Sequence, residues 1–171
     1  TVRQILIGAG CDETMPMPFL APGDLENAGL SSAAISISNP LVQEESLLRT
    51  SLMPGQLKII SYNQSHRIKK LKFFEIGHVY LPSEDDQLLP DEREYLSISI
   101  AGGDATEIVA ILDMISLTMA FPNMQLKQQE IEGLHPGRSA QVFVAGQERG
   151  AVGEVDPRVL RNYGIDDSVA W

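Results

Sequence analysis

The chain has 171 residues, 43% of them hydrophobic and 21% charged, with a formal net charge of −10 and a pI near 4.6. These values fit one globular domain with a sizeable core and exclude a disordered chain. The acidity argues against a strongly basic face that would hold nucleic acid by itself, while leaving room for a minor contact through the one basic run.

The single cysteine, Cys11, rules out an internal disulfide, and no Cys/His cluster has zinc-ligand spacing. A reducing, cytoplasmic setting is the simplest reading. Residues 1–10 carry no signal-peptide pattern, and no apolar run approaches membrane-spanning length. Beginning at Thr1 and stopping at Trp171 within a strand-like run, the chain is expected to be one module, residues 1–171, excised from something longer.

In chain order, Val2, Ile5, Leu6 and Ala9 fall on one stripe and predict a helix over residues 1–10. Residues 13–20 predict a strand, forced to an edge or an irregular path by Pro16 and Pro18. Residues 24–28 predict a short helix capped by Asp24. Residues 33–38 alternate as a half-buried strand, which the Asn39-Pro40 step stops. A polar loop leads to Arg49, and Met53-Pro54-Gly55 opens a helix to about residue 65 with Leu57 and Ile60 inward. Next comes the one basic run, His66-Arg67-Ile68-Lys69-Lys70-Leu71-Lys72, whose plainest reading is a solvated helix-to-strand turn.

Residues 71–81 predict a strand, 83–93 an exposed acidic loop and 95–101 a second strand. Asp104 and Glu107 stand nearly as a capping box before a strongly apolar helix, whose stripe is Ile108, Ile111, Leu112, Ile115 and Met119. Residues 124–131 predict a strand, Pro136-Gly137 a type II turn, and residues 139–155 a hairpin around Gly146-Gln147. Asp156 and Pro157 start a last helix, Gly164 ends it, and residues 168–171 begin a strand. Strands and helices do not alternate as a doubly wound fold requires. The fold class is therefore α+β, one domain with a mainly antiparallel sheet.

Few constellations carry chemistry. Cys11 has no histidine near it in sequence and reads as a small core residue. The acids Glu84, Asp85, Asp86, Asp91 and Glu92 lack the alternating spacing and glycine of a calcium loop. Gly8-Ala9-Gly10 follows a helix and has no Lys-Ser/Thr after it, so it is no phosphate cradle. Gly150 to Gly153 read as strand glycines that permit close backbone approach. Arg49 and Arg138 are the cations placed for bidentate pairing, with Glu75 and Glu154 as strand partners in structural ion pairs.

Five motifs in order carry a resemblance: Asn39-Pro40-Leu41; Leu48-Arg49-Thr50-Ser51-Leu52-Met53-Pro54-Gly55; Phe74-Glu75-Ile76-Gly77-His78-Val79-Tyr80; His135-Pro136-Gly137-Arg138-Ser139-Ala140; and Gly153-Glu154-Val155-Asp156-Pro157. Together they resemble the catalytic-like module of the bacterial phenylalanyl-tRNA synthetase beta subunit over nearly the whole chain. The resemblance implies a class II aminoacyl-tRNA synthetase-like antiparallel sheet flanked by helices. It implies a module without catalysis that packs against an alpha subunit, in a heterotetramer of two alpha and two beta chains that charges tRNA with phenylalanine. ATP and magnesium are implied for that holoenzyme and no cofactor for this module.

The residues agree with lost catalysis. A class II site needs an arginine two positions before the strand glutamate, and here that position is Phe73. It also needs a glycine-rich strand running into a helix with an ATP-binding arginine. Residues 150–158 are a decayed echo of it, broken by Asp156-Pro157. His78 departs from the basic arginine common in the family, and the 101–104 connection is short. The family's editing and anticodon-binding domains lie outside such a module, so none of their residues carries over.

The resemblance makes Val2, Ile5, Leu6 and Ala9 the first candidates for the alpha-subunit interface, with Ile108, Ile111, Leu112, Ile115 and Met119 the second. Arg67, Lys69, Lys70 and Lys72 are candidates for contact with tRNA. The alternative is a free-standing synthetase-like paralogue that binds an amino acid or another protein.

Overall fold

The structure is a computed structural model that describes residues 1–31, 33–83 and 89–171. In chain order it contains α1 (Val2–Gly8), β1 (Asp12–Glu13), β2 (Phe19–Leu20), α2 (Asp24–Asn27), β3 (Ile35–Ser36), β4 (Leu47–Leu48), α3 (Met53–Ser65) and β5 (Leu71–Leu81). These are followed by β6 (Asp91–Ala101), α4 (Ala105–Thr118), β7 (Gln125–Gln128), β8 (Leu134–Val144), β9 (Gln147–Val155), α5 (Pro157–Asn162) and β10 (Val169–Ala170). A 3-10 turn at Gln43–Glu45 precedes β4.

Seven strands form one sheet in the order β1-β5-β6-β10-β9-β8-β7, antiparallel throughout except for the parallel edge pair β1–β5. The long β5–β6 hairpin runs in unbroken register from Leu71↔Ala101 to Leu81↔Asp91. Alternation along β5 sends Phe73 and Phe74 to opposite faces, and each face has its own core. On one face α3 and α5 bring Met53, Leu57, Ile60, Val159 and Leu160 against Phe73, Val155 and Val169. On the other, α1 and α4 bring Leu6, Ile108, Ile111 and Ile115 against Phe74, Ile98, Val152 and Ala170. The result is helices, sheet, helices in three layers. Leu57 and Ile60 are fully buried, and burial of this kind stabilises by about 1.5–3 kcal/mol per side chain. β10 has two residues yet sits in the middle of the sheet, with Val169 and Ala170 both fully buried.

A second sheet, β2-β4-β3, is antiparallel and small. The single strand expected over residues 13–20 is therefore two pieces in different sheets, because Pro16 and Pro18 cannot donate to a continuous ladder. Asp24 is not the cap of α2. Gly23, at φ +90, holds that position, and the Asp24 carboxylate turns back to accept from Ala21 N (2.8 Å) and Lys58 Nζ (2.6 Å). Of the expected acidic loop, Asp91 to Arg93 belong to β6, which lengthens the hairpin; Glu84, Asp85 and Asp86 lie outside the described residues.

Pro136-Gly137 is not a type II turn. Such a turn needs a positive φ at the glycine, and Gly137 is not among the residues with one. β8 runs straight through, and the surplus residues between Leu134↔Val155 and Ser139↔Gly153 are taken up as a bulge. The hairpin that closes β8 onto β9 does turn tightly, with Ala145 (φ 53) and Gly146 (φ 75) both left-handed as a type I′ turn requires.

Asp104 caps α4, its Oδ1 accepting from Thr106 N (2.8 Å) and Glu107 N (3.2 Å). Asp104→Ala is expected to cost about 1 kcal/mol, read as a lower urea midpoint with an unchanged m-value.

Candidate functional site

The centre of interest is the α3-facing side of β5 and β6, where alternation places Phe73, Glu75 and Gly77 opposite Ser99, Ser97 and Tyr95. Arg49 reaches this face from the segment that follows β4. Its carbonyl accepts from Tyr80 N (2.9 Å), its Nε donates to His78 O (2.8 Å), and its Nη1 donates to Glu75 Oε1 (2.6 Å). Both partners are buried, Arg49 at 6% exposure and Glu75 at 2%. Burial pushes the Glu75 carboxyl above its ordinary range, and the Arg49 charge and hydrogen bond pull against that shift. The other carboxylate oxygen, Oε2, is buried and accepts no hydrogen bond among the described residues.

Gly77 makes this pairing possible. A Cβ there would run into Arg49 Nη2 and lie 2.8 Å from Glu75 Oε1, so the guanidinium occupies the space that the glycine leaves. Beside the pair, Gln56 of α3 is fully buried, and its Oε1 accepts from Ser97 Oγ (2.8 Å) and Ser99 Oγ (2.5 Å). Reading the sequence missed this network. The available signal was spacing: Gln56 stands four residues before Ile60, hence on the buried stripe, and Ser97 and Ser99 alternate with Ile98 and Ile100.

The rest of a nucleotide site does not fit these residues. Phe73, the position at which the resemblance would expect a class II arginine, is 2% exposed and packed into the core under α3. Arg158 turns back on the cap of its own helix, its Nη2 2.7 Å from Asp156 Oδ2. Hydrogen bonding from Arg158 holds the Asp156 carboxyl below its ordinary range. Glu75 is committed to Arg49. Among the described residues no group of three or more His, Cys, Asp and Glu is placed to hold a metal ion.

Other residues singled out from sequence fall as follows. Arg138 Nη1 lies 3.0 Å from Glu154 Oε2, but Arg138 is half exposed, so this pair is worth at most about 1 kcal/mol. Gly153 permits the expected close approach, since a Cβ there would be 2.5 Å from Arg138 O; Gly150 faces open space. Cys11 is 3% exposed within the α4-side core, and burial pushes its thiol up, away from nucleophilic chemistry.

On α1, Leu6 is buried while Val2, Ile5 and Ala9 pack against the same core. On α4, Ile108, Ile111 and Ile115 are buried, Leu112 packs against them, and Met119 is 42% exposed. Both candidate interface stripes are thus largely spent inside the chain. The exposed large apolar side chains on these layers are Ile7 on α1 and, on α4 and just beyond it, Met114, Leu117, Met119 and Phe121. The basic run is divided as well. Arg67, Lys69 and Lys70 are exposed in the turn after α3. Lys72 is on β5 with the parity of Phe74, close enough to Cys11 to act on its thiol.

Comparison with known proteins places the fold and the family. A pyrrolysyl tRNA synthetase, PylSc from Desulfitobacterium hafniense, superposes with a TM-score of 0.75 over 99% of this chain and 61% of its own, at 16% identity. The fold is that of the class II aminoacyl-tRNA synthetases, an α+β fold with an antiparallel sheet flanked by helices. Residues 1–171 match the family described as the phenylalanyl tRNA synthetase beta chain CLM domain, and the chain belongs to that family. It is similar to the phenylalanine–tRNA ligase beta subunits of Clostridium tetani (32% identity, 97% of this chain and 22% of the relative) and Aeropyrum pernix (34% identity, 99% and 30%). The chain therefore spans less than a third of the length of these relatives. No helix among the described residues is long and apolar enough to cross a membrane.

Proposed function

We propose that this chain is a non-catalytic module of a phenylalanine–tRNA ligase beta subunit, which packs against and supports a catalytic alpha subunit. In this reading the alpha subunit binds ATP, magnesium and phenylalanine and charges the tRNA. Two alpha and two beta chains assemble, and the enzyme works in the cytoplasm. One observation carries the reading: the sheet face where a class II enzyme would hold ATP is filled. Phe73 is packed under α3, Arg49 neutralises Glu75, and fully buried Gln56 covers Ser97 and Ser99.

With the inner stripes of α1 and α4 occupied, the alpha subunit would meet their outer sides, where Ile7 is 58% and Leu117 82% exposed. Obligate interfaces are large and apolar at their core, and exposed apolar side chains on one layer fit such a core. Mixed with alpha subunit at micromolar concentration, the purified domain is expected to associate, and Leu117→Glu to weaken that association at least about tenfold without unfolding the domain. The domain alone is expected to give no ATP–pyrophosphate exchange. Folded domain that fails to bind alpha subunit, or that supports exchange unaided, would overturn the proposal.

A further inference from the structure

We propose that the turn after α3 is a docking point for an RNA phosphate backbone, with Arg67, Lys69 and Lys70 as the cations and the Tyr62–His66 ring pair as a stacking platform. The proposal rests on the beta-subunit reading above and adds to it a surface and a ligand chemistry.

Charge distribution is the first ground. The chain carries 23 acids against 13 Lys and Arg, yet no Asp or Glu occurs from Ser46 to Phe74. Within that stretch Arg49 and Lys58 are consumed by Glu75 and Asp24. Arg67, Lys69 and Lys70 are exposed and form no salt bridge among the described residues, and Asp167, which reaches this end of α3, accepts from Gln64 instead. An acidic protein with three free cations in four positions has concentrated what positive field it has.

The backbone is the second ground. Ile68 N donates to Asn63 O (3.0 Å) and Arg67 N to Gln64 O (2.9 Å), the pattern that ends a helix with a left-handed residue. That residue is usually glycine; here it is Arg67, at φ 66. A long cationic side chain stands where its backbone is disfavoured. Third, Tyr62 is 66% exposed and lies one helical turn before His66, their ring centroids 4.4 Å apart. Exposed rings beside free cations suit an RNA with unpaired bases, because every base has a face to stack and every nucleotide a phosphate.

The test uses the complete ligase, alpha and beta chains together, with deacylated tRNA as probe. Affinity is measured across a salt series and subunit assembly by sedimentation. Lys69→Ala with Lys70→Ala is expected to weaken binding roughly tenfold near physiological salt and to reduce the slope of log affinity against log salt by about 1.5. Arg149→Glu, a charge change on β9, is expected to leave both unchanged. Arg67→Gly is expected to weaken tRNA binding while slowing hydrogen exchange in the last turn of α3, a combination that a merely structural arginine would not give. Unchanged affinity and slope in the lysine variant would overturn the proposal. So would loss of alpha–beta assembly with no change in tRNA binding, which would make the turn a protein contact. If the parent chains themselves fail to assemble, it is the beta-subunit reading that falls.

Discussion

Arg49→Met is expected to destabilise the domain by about 3–5 kcal/mol, much of the margin by which a domain of this size folds. Methionine fills part of the volume but leaves Glu75 charged, buried and without its only hydrogen-bond donor among the described residues. It also removes the donor to His78 O. The pH dependence identifies the responsible group. Burial already raises the Glu75 carboxyl, and Arg49 is the influence that lowers it, so in the variant the carboxyl rises further. A carboxyl raised above its unfolded value of about 4.3 holds a proton in the native state that the unfolded chain gives up. Stability from that proton is present at low pH and lost as pH rises through the folded value. Guanidinium midpoints should therefore show Arg49→Met recovering relative to the parent as pH falls from 7 to 5, by up to about 1.4 kcal/mol per unit. Equal losses at both pH values would mean that Glu75 is not the group left exposed to desolvation. Arg49→Met combined with Glu75→Leu should recover most of the single variant's loss, since an apolar pair of similar volume often replaces a buried ion pair at little cost.

This pair also shows how far the sequence could be read. Arg49 and Glu75 are 26 positions apart, and residue type already marked them as a cation after a turn and an available strand partner for an ion pair; what the sequence left open was which arginine meets which glutamate. The elements whose order depends on local pattern were legible too: α1, α3 and α4 from periodicity, and β5 at the ends where the structure puts them. What failed was governed by tertiary context. His135-Pro136-Gly137 has the composition of a turn, yet it is a bulge because Leu134 and Ser139 are both held to β9 across it. The apolar stripes of α1 and α4 are a different case: composition cannot tell a partner's surface from the chain's own sheet, and no partner chain is present to decide between them. Here that sheet claims Leu6, Ile108, Ile111 and Ile115. Gln56 could be placed on the buried side of α3 by spacing, but its partners could not, because Ser97 and Ser99 stand on a strand about 40 residues away.

Phe73→Arg is expected to cost more than about 4 kcal/mol and to produce no ATP–pyrophosphate exchange, although it restores the side chain that a class II site would carry there. Removing a buried phenylalanine alone costs about 3–5 kcal/mol. The guanidinium must then enter a core of Met53, Leu57, Ile60 and Val155, where an ion that is not well paired loses several kcal/mol of hydration. The free Oε2 of Glu75 lies two residues away on the same face and would offer a partner, but that carboxylate already answers Arg49, and one negative charge cannot neutralise two cations. Loss of the far-UV CD signal at lower denaturant, together with a null exchange assay, would fit these energetics. A stable variant with exchange activity would instead place this sheet one substitution from catalysis. The expected null does not rest on position 73 alone. α3 has taken the volume above β5 and β6, with Leu57, Ile60 and Gln56 all fully buried against neighbours that a nucleotide would have to displace. Activity would require that helix to leave, and the helix is part of what holds the sheet together.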